Sequence, residues 1–221
     1  MQYRVLLTAL ALSLAACSPA TGGEAKTSKR GKDALGAEAL PRTGQDNEAI
    51  FAGGCFWCVE SAFEEVDGVL EATSGYTAGH MERPTYYQVG SGMTGHTEAV
   101  HILYDPNKVS YAKLLEVFWH NIDPTQANGQ FCDRGSQYRS GIFYLNEGQK
   151  AAAEKSLAKL KESPPFKGEI VTEIAQGEAF YPAEDYHQDF YKKNPVRYLS
   201  YRTGCGRDAR LKELWGEAAG H

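Results

Sequence analysis

The pattern of apolar and polar positions between residues 48 and 68 predicts a strand, a turn and a helix in immediate succession. Ala49 to Ala52 is a short apolar run of strand type, and Gly53-Gly54 supplies a tight turn. Beyond Cys55, residues Val59, Ala62, Phe63 and Val66 recur at i, i+3, i+4 and i+7, one apolar stripe of a helix; Glu60, Ser61, Glu64 and Glu65 take the other face. Gly68 suits the left-handed position that ends a helix. Cys55 therefore stands at a helix N-terminus, where unpaired N–H groups and the dipole favour an anion. Its thiol is expected to fall below the free value of about 8.5 and to act as a nucleophile. The plainer reading is a small, buried packing residue. Phe56 and Trp57 weigh against it, because two bulky rings in a first turn, where small polar residues are usual, make a binding wall.

The remaining pattern alternates strands and helices. Val69 to Tyr76 predicts a strand, followed by a polar loop that holds Tyr86, Tyr87 and two histidines. Gly90 to Gly95 formally matches GxGxxG, but a strand-like run follows it where a dinucleotide site requires a helix. That run, Glu98 to Tyr104, sets Ala99, His101 and Leu103 against Val100, Ile102 and Tyr104 and leaves the Glu98 carboxyl half buried at the loop boundary. Ser110 caps a helix from Tyr111 to about Asn121. The irregular loop 123–140 carries Cys132, Asp133, Arg134 and Tyr138, a density of chemistry unlike a linker. A strand (Arg139–Leu145), a polar helix (Glu147–Glu162), a strand (Glu169–Ala175) and a short helix (183–194) follow. Cys205 sits between two glycines in the tail, which predicts a flexible coil there, with a helix-like run after it.

Composition separates the N-terminus from this pattern. Arg4, the apolar run Val5–Leu14 and the ending Leu14-Ala15-Ala16-Cys17 form a secretory signal over residues 1–16, shorter than the ~18 apolar residues of a membrane span. Its end resembles the bacterial lipobox, which implies lipidation of Cys17; Ser18 resembles the outer-membrane sorting class. Residues 17–47, without aromatics, read as a tether, and 48–221 as the folded domain. The formal net charge is −5, one unit more negative once Arg4 is removed, which argues against a nucleic-acid partner. Four cysteines remain after Cys17. Cys55 and Cys58 have the spacing of redox CxxC pairs; no second CxxC exists, so no metal site is expected.

The segments GGCFWCVE (53–60), SGYTAGH (74–80), TGHTEAV (94–100), DRGSQYRS (133–140) and AEDYHQDF (183–190) together resemble class A peptide-methionine sulfoxide reductases, in order over roughly 48–215. The resemblance implies an α+β fold: a two-layer, ferredoxin-like core whose mixed sheet is flanked by helices, with a long coiled C-terminal tail. It implies that Cys55 attacks the sulfoxide sulfur, Glu98 gives a proton to the oxygen, and Tyr86, Tyr138 and Asp133 organise the oxygen pocket. Phe56 and Trp57 would hold the substrate methyl group. A second thiol would then resolve a Cys55 sulfenic acid: Cys205 first, Cys58 second, with Cys132 as a relay. No bound cofactor is implied, only an external thioredoxin-like dithiol, and the protein is expected to act as a monomer. Two departures stand out. Cys58 replaces the glycine that commonly follows CysPheTrp, and the tail carries one cysteine where two are common. The CxxC pair keeps a second reading open, a thiol–disulfide oxidoreductase, and structural disulfides in a non-enzymatic lipoprotein are a third.

Overall fold

The computed structural model describes residues 35–41 and 47–220, so the expected signal peptide, the lipobox-like stretch with Cys17 and most of the expected tether lie outside the described residues. Strands β1 (Glu48–Gly53), β2 (Val69–Thr77), β3 (Thr97–Tyr104), β6 (Ser140–Tyr144), β7 (Glu173–Gln176) and β8 (Tyr181–Pro182) form one sheet in the order β7-β6-β1-β3-β2-β8. Its pairings are antiparallel except β6 with β7, which makes the sheet mixed. A two-stranded hairpin, β4 (Gly129–Gln130) and β5 (Asp133–Arg134), stands apart from it.

β1 lies inside the sheet and is buried on both faces, which is why it reads as an unbroken apolar run. Ala49 and Phe51 point to one side and meet Val59 and Phe63 of α1 (Phe56–Glu64) and Leu114, Leu115 and Phe118 of α3 (Tyr111–His120). Phe51 stacks between Phe63 and Phe118, with ring centroids 5.1 Å away on each side. Ile50 and Ala52 point the other way, against Ala99, Phe143 and Phe180. On that side the chain covers the sheet with irregular segments; Leu40 N–H bonds the Phe180 carbonyl at 2.8 Å. Helix α4 (Glu147–Glu162) packs beside α3 and exposes a largely polar face.

Four expectations are corrected. The loop after β2 contains a helix, α2 (Tyr86–Gly90), started by a capping box between Thr85 and Gln88. Within 183–194 only α5 (Phe190–Lys193) is helical, because Asp189 takes a left-handed backbone conformation (φ 52°). The tail is not a coil. Pro195 starts α6 (Pro195–Gly204), and α7 (Arg207–Trp215) follows after a break at Gly206 (φ 71°). Proline at the first helical position costs no hydrogen bond, and Leu211, Leu214 and Trp215 enter the main core, so burial outweighs the flanking glycines. The strand expected from Glu169 begins at Glu173.

Candidate active site

The site grows from the turn between β1 and α1. Gly54 takes φ 81°, and a Cβ there would come 2.5 Å from the Gln130 side chain, so both conformation and space demand glycine. That turn sets Cys55 at the N-cap of α1, with its carbonyl accepting from the Val59 N–H at 3.4 Å. Arg207, 2% exposed, fixes the turn from below: one guanidinium nitrogen donates to the Gly53 carbonyl (3.2 Å) and the Asn121 carbonyl (2.7 Å).

Register brings Glu98 to this point. Phe51 pairs with Val100 in the antiparallel β1–β3 ladder, so continuing two residues sets Glu98 opposite Gly53. Strand parity puts Glu98 on the face of Val100 and Ile102, toward α1. Its carboxylate accepts the Phe56 N–H at 3.0 Å, at the orphan end of the helix. Burial pushes its pKa up to about 8 against the pull of that hydrogen bond; Asp133 and Cys58 add to the rise. Glu98 is therefore largely protonated at neutral pH.

Aromatic groups close round Cys55 and Glu98. Tyr86 on α2 and Tyr138, which ends a 3-10 turn (Ser136–Tyr138), both lie in the electrostatic reach of Glu98 and Cys55. Burial holds both phenols protonated, as donors. Trp57 is half buried, stacked 3.7 Å on Phe190, and its indole N–H donates to Nδ1 of His187 at 3.0 Å. Phe56 is only 1% exposed and faces Tyr76, Tyr86 and His187. Asp133, half buried in β5, accepts a hydrogen bond from the Tyr201 hydroxyl, and Tyr201 packs against the buried cluster that holds Cys55.

The chain matches the family described as peptide methionine sulfoxide reductase over residues 47–219. The Bacillus subtilis peptide methionine sulfoxide reductase MsrA is 56% identical over 168 residues, 76% of this chain and 95% of that protein. Its Bacillus licheniformis counterpart is 54% identical, covering 76% of this chain and 93% of its own. The solved methionine sulfoxide reductase A of Corynebacterium diphtheriae is 33% identical, with a TM-score of 0.61 over 73% of this chain and 83% of that one. Reduced Mxr1 from Saccharomyces cerevisiae is 28% identical, with a TM-score of 0.65 over 72% and 91% of the two chains. The chain belongs to the peptide methionine sulfoxide reductase family. The family's activity, thiol-dependent reduction of methionine sulfoxide to methionine, is the activity of this chain, and the α+β fold is that of its structural neighbours.

The cysteines of this reductase are arranged differently from the sequence expectation. Cys132 and Cys205, 73 residues apart, form a disulfide, while Cys55 and Cys58 are free thiols, both buried. Cys205 is not on a swinging coil but at the end of α6, and in this form its sulfur is already bonded. The expected acidity of Cys55 is also corrected. Burial, at 6% exposure, pushes its thiol up and outweighs the helix terminus. Cys58 is the acidic member: a hydrogen bond from Cys55 lowers it, and Arg207 and Arg202 favour its thiolate.

Several residues of the site carried no sequence signal of their own. His187 anchors Trp57, and burial lowers its pKa to about 4, so the ring is neutral and free to accept the indole proton. Glu184 accepts from the Tyr86 N–H (2.8 Å) and from the Tyr76 hydroxyl (2.9 Å) and so locates α2. Both lie in AEDYHQDF, a motif that marks the family without showing which side chains face the pocket. Glu60 accepts from Ser74 and from the Asp189 N–H, and burial raises its pKa to about 7. Glu60, Glu64 and Asp189 cluster closely enough to ligate a cation, but Ser74, Tyr191 and Lys192 already occupy these carboxylates. At Cys132, Asp133 and Cys205 the two sulfurs are spent on each other.

Proposed function

We propose that Cys55 is the nucleophile of this reductase and Glu98 its general acid, acting on the S epimer of methionine sulfoxide, free or in proteins. The observation that carries this is the protonated Glu98 carboxyl held on the Phe56 N–H, beside the Cys55 thiol. Cys58, whose thiolate is the favoured one of the pair, accepts the Cys55 proton as attack begins. The Cys55 sulfur bonds to the sulfoxide sulfur. The sulfoxide oxygen takes the Glu98 proton, leaves the substrate sulfur and bonds to the Cys55 sulfur as the Cys55–substrate S–S bond breaks, which gives a Cys55 sulfenic acid and releases the substrate as a thioether. Tyr86 and Tyr138, both protonated and both within electrostatic reach of Glu98 and Cys55, hydrogen-bond the oxygen while its charge develops. Asp133 keeps Tyr201 in place, and Phe56 and Trp57 receive the methyl group beside sulfur.

A thioredoxin-like dithiol then restores the thiols. In an assay coupling thioredoxin to its NADPH-dependent reductase, NADPH oxidation should follow addition of the S epimer and ignore the R epimer. Oxidation that responds to general disulfide substrates but to neither epimer would favour the thiol–disulfide oxidoreductase reading instead.

The N-terminus supports an envelope address. Residues 1–16 end in Leu-Ala-Ala before Cys17, and Ser18 follows, a pattern that fits a lipid-anchored protein facing the periplasm from the outer membrane. Labelled palmitate should enter the parent protein and be absent from Cys17→Ser, which should move from the membrane to the soluble fraction. An unlabelled parent would contradict the anchor.

A further inference from the structure

We propose that this chain carries two dithiol–disulfide centres in series, in which buried Cys58 resolves the Cys55 sulfenic acid and the surface pair Cys132/Cys205 carries electrons inward to it. The inference rests on Cys55 as the nucleophile and goes beyond it in assigning all four cysteines of the domain.

The inner pair comes first. Cys58 lies one turn of α1 beyond Cys55, packs with it in one buried cluster and is the other free thiol among the described residues, so it is placed to meet a Cys55 sulfenic acid. Both are buried, Cys58 to 1% exposure, beneath Trp57, Phe190 and Tyr198. A protein dithiol cannot bring its own cysteine to such a place without displacing those rings. The chain thus has a resolving thiol in position and no direct route for a macromolecular reductant to the disulfide it makes.

The outer pair supplies the route. Cys132 is exposed and Cys205 half exposed, and Cys205 borders an open depression with Phe131, Arg134, Gly206 and Arg210. The two pairs are joined by one face of α6. Tyr198, Tyr201, Arg202 and Cys205 fall at i, i+3, i+4 and i+7. Tyr198 packs in one buried cluster with Cys55 and Cys58, and Tyr201 packs against that cluster. Cys205 follows one turn beyond Tyr201, about 6 Å along the axis. On its other side Arg207 holds the Gly53 carbonyl, two residues before Cys55. Cys132 is fixed to the same assembly: its N–H bonds the Cys205 sulfur at 3.2 Å, and the next residue, Asp133, accepts from Tyr201. The break between α6 and α7 gives Cys205 room to move once the bond opens. A Cβ placed at Gly204 or Gly206 would meet no atom within 4 Å. Cys132, from the loop, therefore stands where a second tail cysteine would otherwise be needed.

The steps balance. Cys58 attacks the Cys55 sulfenyl sulfur; the S–O bond breaks, the hydroxyl leaves as water, and a Cys55–Cys58 disulfide forms. Cys205, as one thiolate of the reduced outer pair, attacks that disulfide and gives a mixed disulfide. Cys132 attacks the Cys205 sulfur and releases the inner thiols. Two electrons and two protons pass inward, and the Cys132–Cys205 bond is remade. An external dithiol then reduces it at the surface.

The test counts methionine. Protein with all four thiols reduced, freed of reductant and mixed with excess S-sulfoxide, should release about two methionines per chain and end with both disulfides. The Cys132→Ser/Cys205→Ser variant should release about one, keep dithiothreitol-driven turnover and lose at least roughly tenfold with thioredoxin. Peptide mass mapping of the parent keeps the test independent of how the variant folds. One methionine from the parent, with Cys132 and Cys205 still alkylatable, would make the outer pair a structural bond and overturn the proposal. So would two methionines from the double variant, or a mapped Cys55–Cys205 disulfide in place of Cys55–Cys58. Absence of any methionine from the reduced parent would instead remove Cys55 chemistry itself.

Discussion

Cys55→Ser is expected to reduce methionine formation from methionine sulfoxide to the level of a protein-free control, with either dithiothreitol or thioredoxin as reductant. The effect is total because the reaction needs a polarisable thiolate that can bond to the substrate sulfur and then hold its oxygen as a sulfenic acid, and a hydroxyl does neither at neutral pH. The fold should survive. Residue 55 is the N-cap of α1, where serine is among the preferred residues, and the Cys55 side chain makes no cap hydrogen bond that could be lost. Single-turnover product analysis beside a thermal melt separates the two effects. Turnover near the parent rate would contradict the assignment of Cys55.

Glu98→Gln is expected to slow the sulfoxide step by roughly 10²–10⁴-fold, the weight of a positioned general acid. Glutamine keeps the oxygen that accepts the Phe56 N–H and removes only the transferable proton. The sign of the pH dependence follows from the raised pKa. The active form is the protonated one, so the parent single-turnover rate should fall as pH rises through about 8, and the variant should lack that fall. Stability provides a control with its own sign. The protonated Glu98 contributes fully below its ordinary value of 4.5, and that contribution is lost as pH rises through about 8. At pH above 8 the variant should therefore melt no lower than the parent. A variant that is slow and also unstable there would point to a structural role for Glu98.

Where local pattern and burial agree, the structure follows the sequence closely. β1, the Gly-Gly turn and α1 appear as the apolar run, the glycines and the 3.6-residue stripe require, and strand parity alone turns Glu98 toward α1. What was not legible depends on distance along the chain. No spacing reveals that Cys132 pairs with Cys205 across 73 residues, or that His187 receives the Trp57 indole across 130. Gly204 and Gly206 suggested a coil, yet Leu211, Leu214 and Trp215 are buried, and that apolar area holds α7 down. The acidity of Cys55 departs from the sequence expectation for a related reason. A helix terminus is visible in sequence, but the burial that opposes it comes from Phe190 and Tyr198 on distant elements. The capping box at Thr85 and Gln88 was legible in principle, and only the surrounding polar, glycine-rich composition hid α2.

The central claim is that the oxygen of methionine sulfoxide passes to Cys55. The most direct measurement uses a Cys58→Ser/Cys205→Ser variant, reduced, mixed with one equivalent of the S-sulfoxide and trapped at once with a sulfenic-acid-specific dione. Peptide mass spectrometry should find the adduct on the peptide carrying Cys55, in an amount matching the methionine released. Methionine released with the adduct on Cys132 instead, or with no cysteine oxidised, would contradict the account.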